Sequence, residues 1–295
     1  MTAEQSPAPS RETSPVAYLG TGLLGAAMVE AMLGRNVPVT VWNRSRAKAE
    51  RLAGLGAQLA ETPAAAVAGA SRVHLCLSAD AAVDSVLEAL LGQGAPTCPV
   101  IDHSTCAPAG VVARAQRMAD SGVRFLHAPV FMSPREARDV TGVVLVSGDP
   151  ALFAEVQPAL EPMALKVLYA GERPDAAASL KLLGNALGIG LVTVLADVLT
   201  LSRTLDLPYE SLTALLDAFN PMARARVRLN RMQSGDFSPS FTLEMARKDV
   251  GLMLSAGPES GLPILEAVAA RMDRRLAEGL ALVDYGIIAS PASSK

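Results

Sequence analysis

Gly20-Thr21-Gly22-Leu23-Leu24-Gly25 lies between an apolar run at 16–19 and a stretch with helical patterning. In that position the first glycine allows a tight turn, the second lets the backbone approach a pyrophosphate, and the third lets helix and strand pack closely. Phosphate charge then rests on the free N–H groups at the helix start. A dinucleotide is the ligand this spacing serves; a glycine-rich turn that binds nothing is the plain alternative. The end of the next strand-like run, 38–42, discriminates between dinucleotides. An NAD site places Asp or Glu there for the ribose 2′-hydroxyl. Here Asn43-Arg44-Ser45 follows, with no acid before Glu50. A guanidinium pairs with a 2′-phosphate and a serine adds a hydroxyl donor, so the expected cofactor is NADP (NADPH). Lysine usage points to a third position. Of 26 Lys and Arg residues only Lys48, Lys166, Lys181, Lys248 and Lys295 are lysines. Lys181 opens an apolar segment, where an ammonium can lose its proton and a guanidinium effectively cannot. Asn185, four residues on in a predicted helix, shares its face.

These residues need a scaffold, and the pattern supplies one. Strand-like runs at 16–19, 38–42, 73–77, 100–102, 124–130, 143–146 and 167–169 alternate with alanine-rich helical stretches at 46–54, 63–70, 81–91, 109–121 and 150–160. Such alternation predicts an α/β Rossmann-type, doubly wound and mostly parallel sheet. After Gly171-Glu172-Arg173-Pro174 the strand signals stop. Helical patterning follows at 175–204, 210–219, 222–230, 243–256 and 264–278, punctuated by Pro and Gly. The expected organisation is a tail at 1–15, a dinucleotide-binding domain at 16–173, an all-helical domain for substrate and oligomerisation at 174–290, joined by a long helix, and a tail at 291–295.

Bulk properties remove several function classes. With 295 residues, 50% hydrophobic, the chain can build a large core and exceeds one typical domain. Net charge is −3 without blocks of like charge, so nucleic acid is not expected as a partner. Cys76, Cys98 and Cys106 lack CxxC spacing and read as reduced thiols of a cytoplasmic protein, with Cys76 inside a strand. His74, His103 and His127 are scattered, no metal site is expected, and His103 reads as incidental. The first fifteen residues are polar and proline-rich, unlike a secretory signal. Residues 182–201 have the length and apolarity of a membrane span. Asn185 and Asp197 lie inside that run and Lys181 precedes it. A helix buried between domains or subunits can pair those groups, whereas charge in a lone span is costly, so no membrane is expected. A monomer would expose much of this helix, and a homodimer or homotetramer is the expected assembly.

Four segments in order, LGTGLLG (19–25), DHSTCAP (102–108), KLLGN (181–185) and FTLEMARKD (241–249), resemble the β-hydroxyacid dehydrogenase family. That family includes 3-hydroxyisobutyrate dehydrogenases and glyoxylate/succinic semialdehyde reductases, and the likeness extends over about 16–290. The resemblance implies a Rossmann domain joined by a long helix to a helical domain, and an NADP-dependent enzyme interconverting a carbonyl and an alcohol on a small β-hydroxy acid or semialdehyde. It assigns Lys181 the proton transfer that accompanies hydride transfer at nicotinamide C4, and Asn185 the orientation of the lysine or substrate oxygen. Burial or a nearby cation can bring such a lysine toward neutrality, where proton transfer is efficient. Ser104 and Thr105 are implied near the nicotinamide and its ribose; they could equally form an ordinary turn and cap before Pro108. Leu77, Ser78 and Lys248 are counted with the cofactor-binding residues, and Phe241 and Asp249 with the substrate pocket. Lys248 and Asp249 could instead be a solvated pair.

The departures from the family pattern are informative. Where the family has Ser-Gly-Gly or similar, whose hydroxyl and N–H groups hold the substrate carboxylate, this chain has Phe131-Met132-Ser133-Pro134. Phenylalanine cannot donate to a carboxylate and Pro134 has no N–H, although Ser133 retains a donor. Phe131, Met132 and Ser133 are therefore expected to shape a pocket for a bulkier or less charged substrate. Asp175 and Ala177 also stand where the family tends to have Gly-x-Gly. Two rival readings remain at this point: an imine reductase on the same fold, in which Asp or Tyr usually stands at position 181, and an NADPH-binding sensor or scaffold without catalysis.

Overall fold

The computed structural model describes residues 15–219 and 221–290; the tails expected at 1–15 and 291–295 lie, except for Pro15, outside the described residues. The chain divides into two compact units, one up to Asn185 and one from Ala186 onward.

The first unit carries the strands. β1 (Val16–Leu19), β2 (Val39–Trp42), β3 (Gln58–Leu59), β4 (Arg72–Leu75), β5 (Val100–Asp102) and β6 (Phe125–His127) form one parallel sheet in the order β3-β2-β1-β4-β5-β6. This is the doubly wound order predicted from the alternation, with the switch between β1 and β4. Central β1 and β4 are buried on both faces, while β2 alternates. α1 (Leu23–Gly34), α2 (Ala47–Ala53), α3 (Pro63–Val67), α4 (Asp80–Leu91) and α5 (Pro108–Asp120) supply the crossovers. Proline marks helix starts here, at Pro63 and Pro108, because its missing N–H is one of the unpaired donors of a first turn. The two-residue strand β3 was not anticipated, since so short a run has no measurable period.

The run at 124–130, expected as one strand, is two. β6 ends at His127, and β7 (Val130–Phe131) joins a second sheet with β8 (Val143–Val146) and β9 (Lys166–Tyr169). β7 pairs antiparallel with β8, and β8 parallel with β9. Pro129 cannot donate to a ladder, but its carbonyl accepts from Leu145 N, so the chain changes sheets there. β4 likewise ends at Leu75, which leaves Cys76 just beyond the strand, its N–H still bonded to the Leu19 carbonyl. α6 (Pro134–Asp139) and α7 (Pro150–Leu160) complete the unit, together with the start of α8 (Ala176–Thr204). Ser147 anchors that start: its hydroxyl donates to Pro174 O at 2.7 Å and accepts from Ala177 N at 3.1 Å. Ala177 and Ala178 are buried there.

α6 ends on Val140 at φ +58°, a left-handed conformation that a β-branched residue rarely tolerates. Asparagine adopts it at lower cost and suits a helix C-terminus. Val140→Asn should stabilise the protein by about 0.5–1 kcal/mol, read as a higher midpoint in thermal or urea unfolding. An unchanged or lower midpoint would show that Val140's packing outweighs the strain.

The second unit is helical: the rest of α8, then α9 (Tyr209–Ala218), α10 (Pro221–Ser234), α11 (Leu243–Ser255), α12 (Pro263–Ala277) and a 3-10 turn at Tyr285–Ala289. Leu243, Ala246, Val250, Ala269, Met272 and Ile287 form its core. Asp284 is buried beside it, accepting from Ser240 Oγ at 2.7 Å and Gly286 N at 2.9 Å and pairing with Arg228. Asp197, the acid inside the apolar run, accepts from the backbone N–H groups of Ile264 and Leu265 at 2.9 and 3.0 Å. It thereby caps α12, a role the sequence pattern did not indicate. By length and composition α8 could cross a membrane. Its middle is not buried by this chain: Leu187 is 70% and Val192 68% exposed, the exposure expected of this helix in a single subunit.

Candidate active site

The glycine turn is built as its spacing predicts. Gly20 has φ +104°, and a Cβ there would stand 2.3 Å from the Cys76 carbonyl oxygen and 2.7 Å from the Leu77 side chain. A Cβ on Gly25 would be 2.1 Å from the Gly20 carbonyl oxygen, so only glycine brings α1 this close to the end of β1. Gly22 faces open space, and the N-terminus of α1 that it begins has no side-chain cap, with Leu23 almost fully exposed. Thr21 Oγ1 is buried without a partner among the described residues. Helix N–H groups that no side chain among the described residues engages, beside an open glycine, fit a pyrophosphate.

Asn43 joins this turn to the end of β2. Its Oδ1 accepts from Thr21 N at 3.0 Å and its Nδ2 donates to Ser45 O at 2.9 Å. Trp42, Asn43, Arg44, Arg46, Leu59, Ala60 and Glu61 line a cavity of about 190 Å³. Arg46 is engaged by Glu50 at 3.1 Å and by Glu61. Arg44 is exposed and forms no ion pair among the described residues, which leaves one uncompensated cation at that cavity. A larger cavity of about 390 Å³, bounded by α5, β6 and α7 and crossed by the Arg124–Glu155 pair, contains none of the motif residues.

The carboxyl ends of β4 and β5 are tied together next to the turn. Leu77 N donates to Ser104 Oγ at 2.9 Å, and Ser104 N donates to Asp102 Oδ1 at 2.9 Å. Ser104 is therefore buried and fixed, whereas Thr105 and Ser78 are exposed. Beneath this loop the three histidines, which sequence reasoning left scattered, are all buried. Arg72 Nε donates to His74 Nε2 at 2.9 Å, so His74 must carry its proton on Nδ1 and donate it to His103 Nε2 at 2.8 Å. His103 Nδ1 then donates to Ala128 O at 2.7 Å. Burial pushes His103 down to about 4 and His74 well below the usual histidine range, so both are neutral. His103, read as incidental, is a structural member of a chain crossing three strands. Each histidine lay alone in the sequence, and only the parallel pairing of β4, β5 and β6 gathers them.

Lys181 lies one turn beyond the anchored start of α8. Its Nζ is 4.0 Å from the centroid of the Phe131 ring, and it is half-buried with no acidic partner among the described residues. Burial holds the ammonium below the ordinary lysine value. Gly184 makes the approach possible, since a Cβ there would lie 2.3 Å from Phe131 Cζ. Asn185 is half-buried and its amide has no hydrogen bond among the described residues. The first unit thus brings Phe131, Lys181 and Gly184 together, and separately Gly20 to Gly25 with Asn43 and Leu77. Met132 packs under Gly142 into the core. Phe241, Lys248 and Asp249 belong to the second unit: Phe241 packs edge-on against Tyr285, and Lys248 pairs with Asp249 at 2.9 Å.

The family described as the NAD binding domain of 6-phosphogluconate dehydrogenase matches residues 15–171. The chain belongs to that family. It is an NAD(P)-dependent oxidoreductase with a Rossmann-type nucleotide domain, as its four motifs led us to expect. Family relatives include glyoxylate/succinic semialdehyde reductase 1 of Arabidopsis thaliana, 30% identical over 91% of this chain and 94% of that protein. The cytokine-like nuclear factor N-PAC of Homo sapiens is also 30% identical, over 90% of this chain but only 48% of its own length. In structure the chain is similar to an imine reductase from Pseudomonas sp., with a TM-score of 0.85 at 20% identity, covering 93% of this chain and 98% of that one.

Proposed function

We propose that this protein is an NADPH-dependent reductase that interconverts a carbonyl and an alcohol on a small substrate, with Lys181 moving the proton. The observation that carries this reading is the half-buried Lys181 ammonium, which has no carboxylate partner among the described residues and rests against Phe131. NADPH would be held by the Gly20–Gly25 turn and Arg44, and when bound it supplies a hydride to the carbonyl carbon. As the carbon–oxygen π pair moves onto oxygen, Lys181 gives that oxygen its proton; in reverse it takes the proton back. Asn185 orients the oxygen through its free amide, and Phe131 excludes water from the ammonium. Thr105 and Ser78 have exposed hydroxyls for the nicotinamide half, held in place by Ser104. In this reading Ser45 adds a donor beside Arg44, and Phe241, Lys248 and Asp249 remain candidates for substrate and cofactor contacts. The exposed apolar residues of α8 support a homodimer in which a second copy covers them.

The same apolar turn at Phe131 favours a second reading, reduction of an imine. Rates of NADPH consumption with aldehydes, ketones and cyclic imines separate the two. Imine turnover that survives Lys181→Met, with no carbonyl turnover by the unaltered protein, would replace the first reading by the second.

The nucleotide preference has its own test. Trp42 is the only tryptophan and lines the cavity beside Arg44, so its fluorescence reports titration. Arg44→Ala should weaken NADPH by about 1.5–3 kcal/mol, a charge-assisted hydrogen bond, and NADH far less. Equal losses for the two would remove Arg44 from the 2′-phosphate.

A further inference from the structure

The turn that follows β7 contains its own anion. Ser133 N donates to Glu136 Oε2 at 2.7 Å, and Glu136 N donates to Ser133 Oγ at 3.2 Å, a reciprocal capping box. The backbone N–H and hydroxyl of Ser133 hold the Glu136 carboxyl below its usual range, so it is ionised at neutral pH. Pro134 contributes no N–H. The two arginines of α6 are also engaged: Arg135 pairs with Asp139 at 3.3 Å, and Arg138 with Glu30 at 2.5 Å. Ser133 and Pro134 thus present no free backbone N–H to an incoming carboxylate, Arg135 and Arg138 are already paired with acids, and the carboxylate already there would repel it. Just before the turn, the Phe131 ring offers an apolar face whose one cationic neighbour among the described residues is Lys181. On the reading proposed above, that ammonium faces the carbonyl oxygen, and a substrate carboxylate paired with it would stop it from acting as the acid.

We infer that the substrate is an uncharged aldehyde or ketone whose carbon chain lies along Phe131, and that Glu136, by occupying the donors of Ser133, discriminates against carboxylate-bearing analogues. This inference rests on the carbonyl-reductase reading and refines it.

The test compares matched substrates with NADPH at pH 7: butyraldehyde, succinic semialdehyde and the methyl ester of the latter. The two uncharged aldehydes should exceed the anion in kcat/KM by at least about tenfold, the loss of one charged hydrogen bond plus repulsion. Glu136→Gln keeps a carbonyl acceptor for Ser133 but removes the charge, and Glu136→Ala frees both Ser133 donors. Both should raise kcat/KM for the anion relative to its ester, the alanine variant more. Equal or better turnover of the anion by the unaltered protein would overturn the inference while leaving carbonyl reduction in place. So would an anion-to-ester ratio that stays the same in both variants. Absence of turnover for all three aldehydes would instead remove the carbonyl-reductase reading, and the inference with it. The comparison on the unaltered protein stands even if a variant fails to fold.

Discussion

Lys181→Met should lower kcat for carbonyl reduction by about 10²–10⁴-fold, the usual contribution of a positioned general acid. NADPH titration followed through Trp42 should change little, because the glycine turn and Arg44 cavity are built without Lys181. Methionine keeps an unbranched apolar stem against Phe131 and Gly184, so the loss would be one of chemistry and not of packing. The pH dependence gives a second readout. Reduction needs the ammonium, and burial places its titration below the ordinary lysine value. The reduction rate should therefore fall as pH rises through that lowered value, and the oxidation rate should rise across the same interval. A variant with normal kcat, or a reduction profile flat through the alkaline range, would remove Lys181 from proton transfer. Tight nucleotide binding without turnover of any substrate in the unaltered protein would point instead to the sensor reading.

The parts of this architecture that were legible in the sequence are those whose demands are local. Gly20 and Gly25 are specified by one turn, and a Cβ at either meets a carbonyl oxygen within 2.3 Å, so their spacing alone indicated the strand, turn and helix. Alternation over the first unit similarly predicted a sheet whose central strands are covered on both faces. What escaped depends on groups distant in sequence. His74, His103 and Ala128 O come into line only because β4, β5 and β6 pair in parallel. Asp197 finds its donors 67 and 68 residues away, at the start of α12. Glu136 was different, because Ser-Pro-Arg-Glu is a readable capping signature. Taken only as a loop facing substrate, that segment hid the fact that Ser133's donors were already engaged. Phe131 stood out in the sequence as a departure, but its contact with Lys181 depends on Gly184, whose importance lies in the absence of a side chain.

Arg114→Leu should cost about 1.5–3 kcal/mol of stability at neutral pH, the scale of hydrogen bonds to charged groups. Arg114 on α5 is fully buried, with Nε 3.0 Å from Asp84 Oδ1 and one terminal nitrogen 3.0 Å from Asp80 Oδ1. Its other terminal nitrogen lies 3.9 Å from Asp102 Oδ2. Burial alone would lower the guanidinium and raise the acids; their mutual contacts reverse both, holding Arg114 above its usual range and Asp80 and Asp84 below theirs, while His127 and Ser104 hold Asp102 down. Carboxyls lowered on folding stabilise above their unfolded values, and that stabilisation disappears as pH falls through the folded ones. Without Arg114, Asp80 and Asp84 lose the cation that lowers them, and the cost of keeping them ionised is relieved by protonation. The gap between the two proteins in urea unfolding should therefore be widest near neutrality and narrow as pH falls toward the carboxylate range. A pH-independent gap would mean that Arg114 acts by packing alone. Because Asp102 also receives Ser104 N, and Ser104 in turn holds Leu77, the leucine variant should weaken nucleotide binding at temperatures where it is still folded. Arg114→Lys, which keeps the charge but loses the forked geometry, should recover part of the stability and retain the pH dependence.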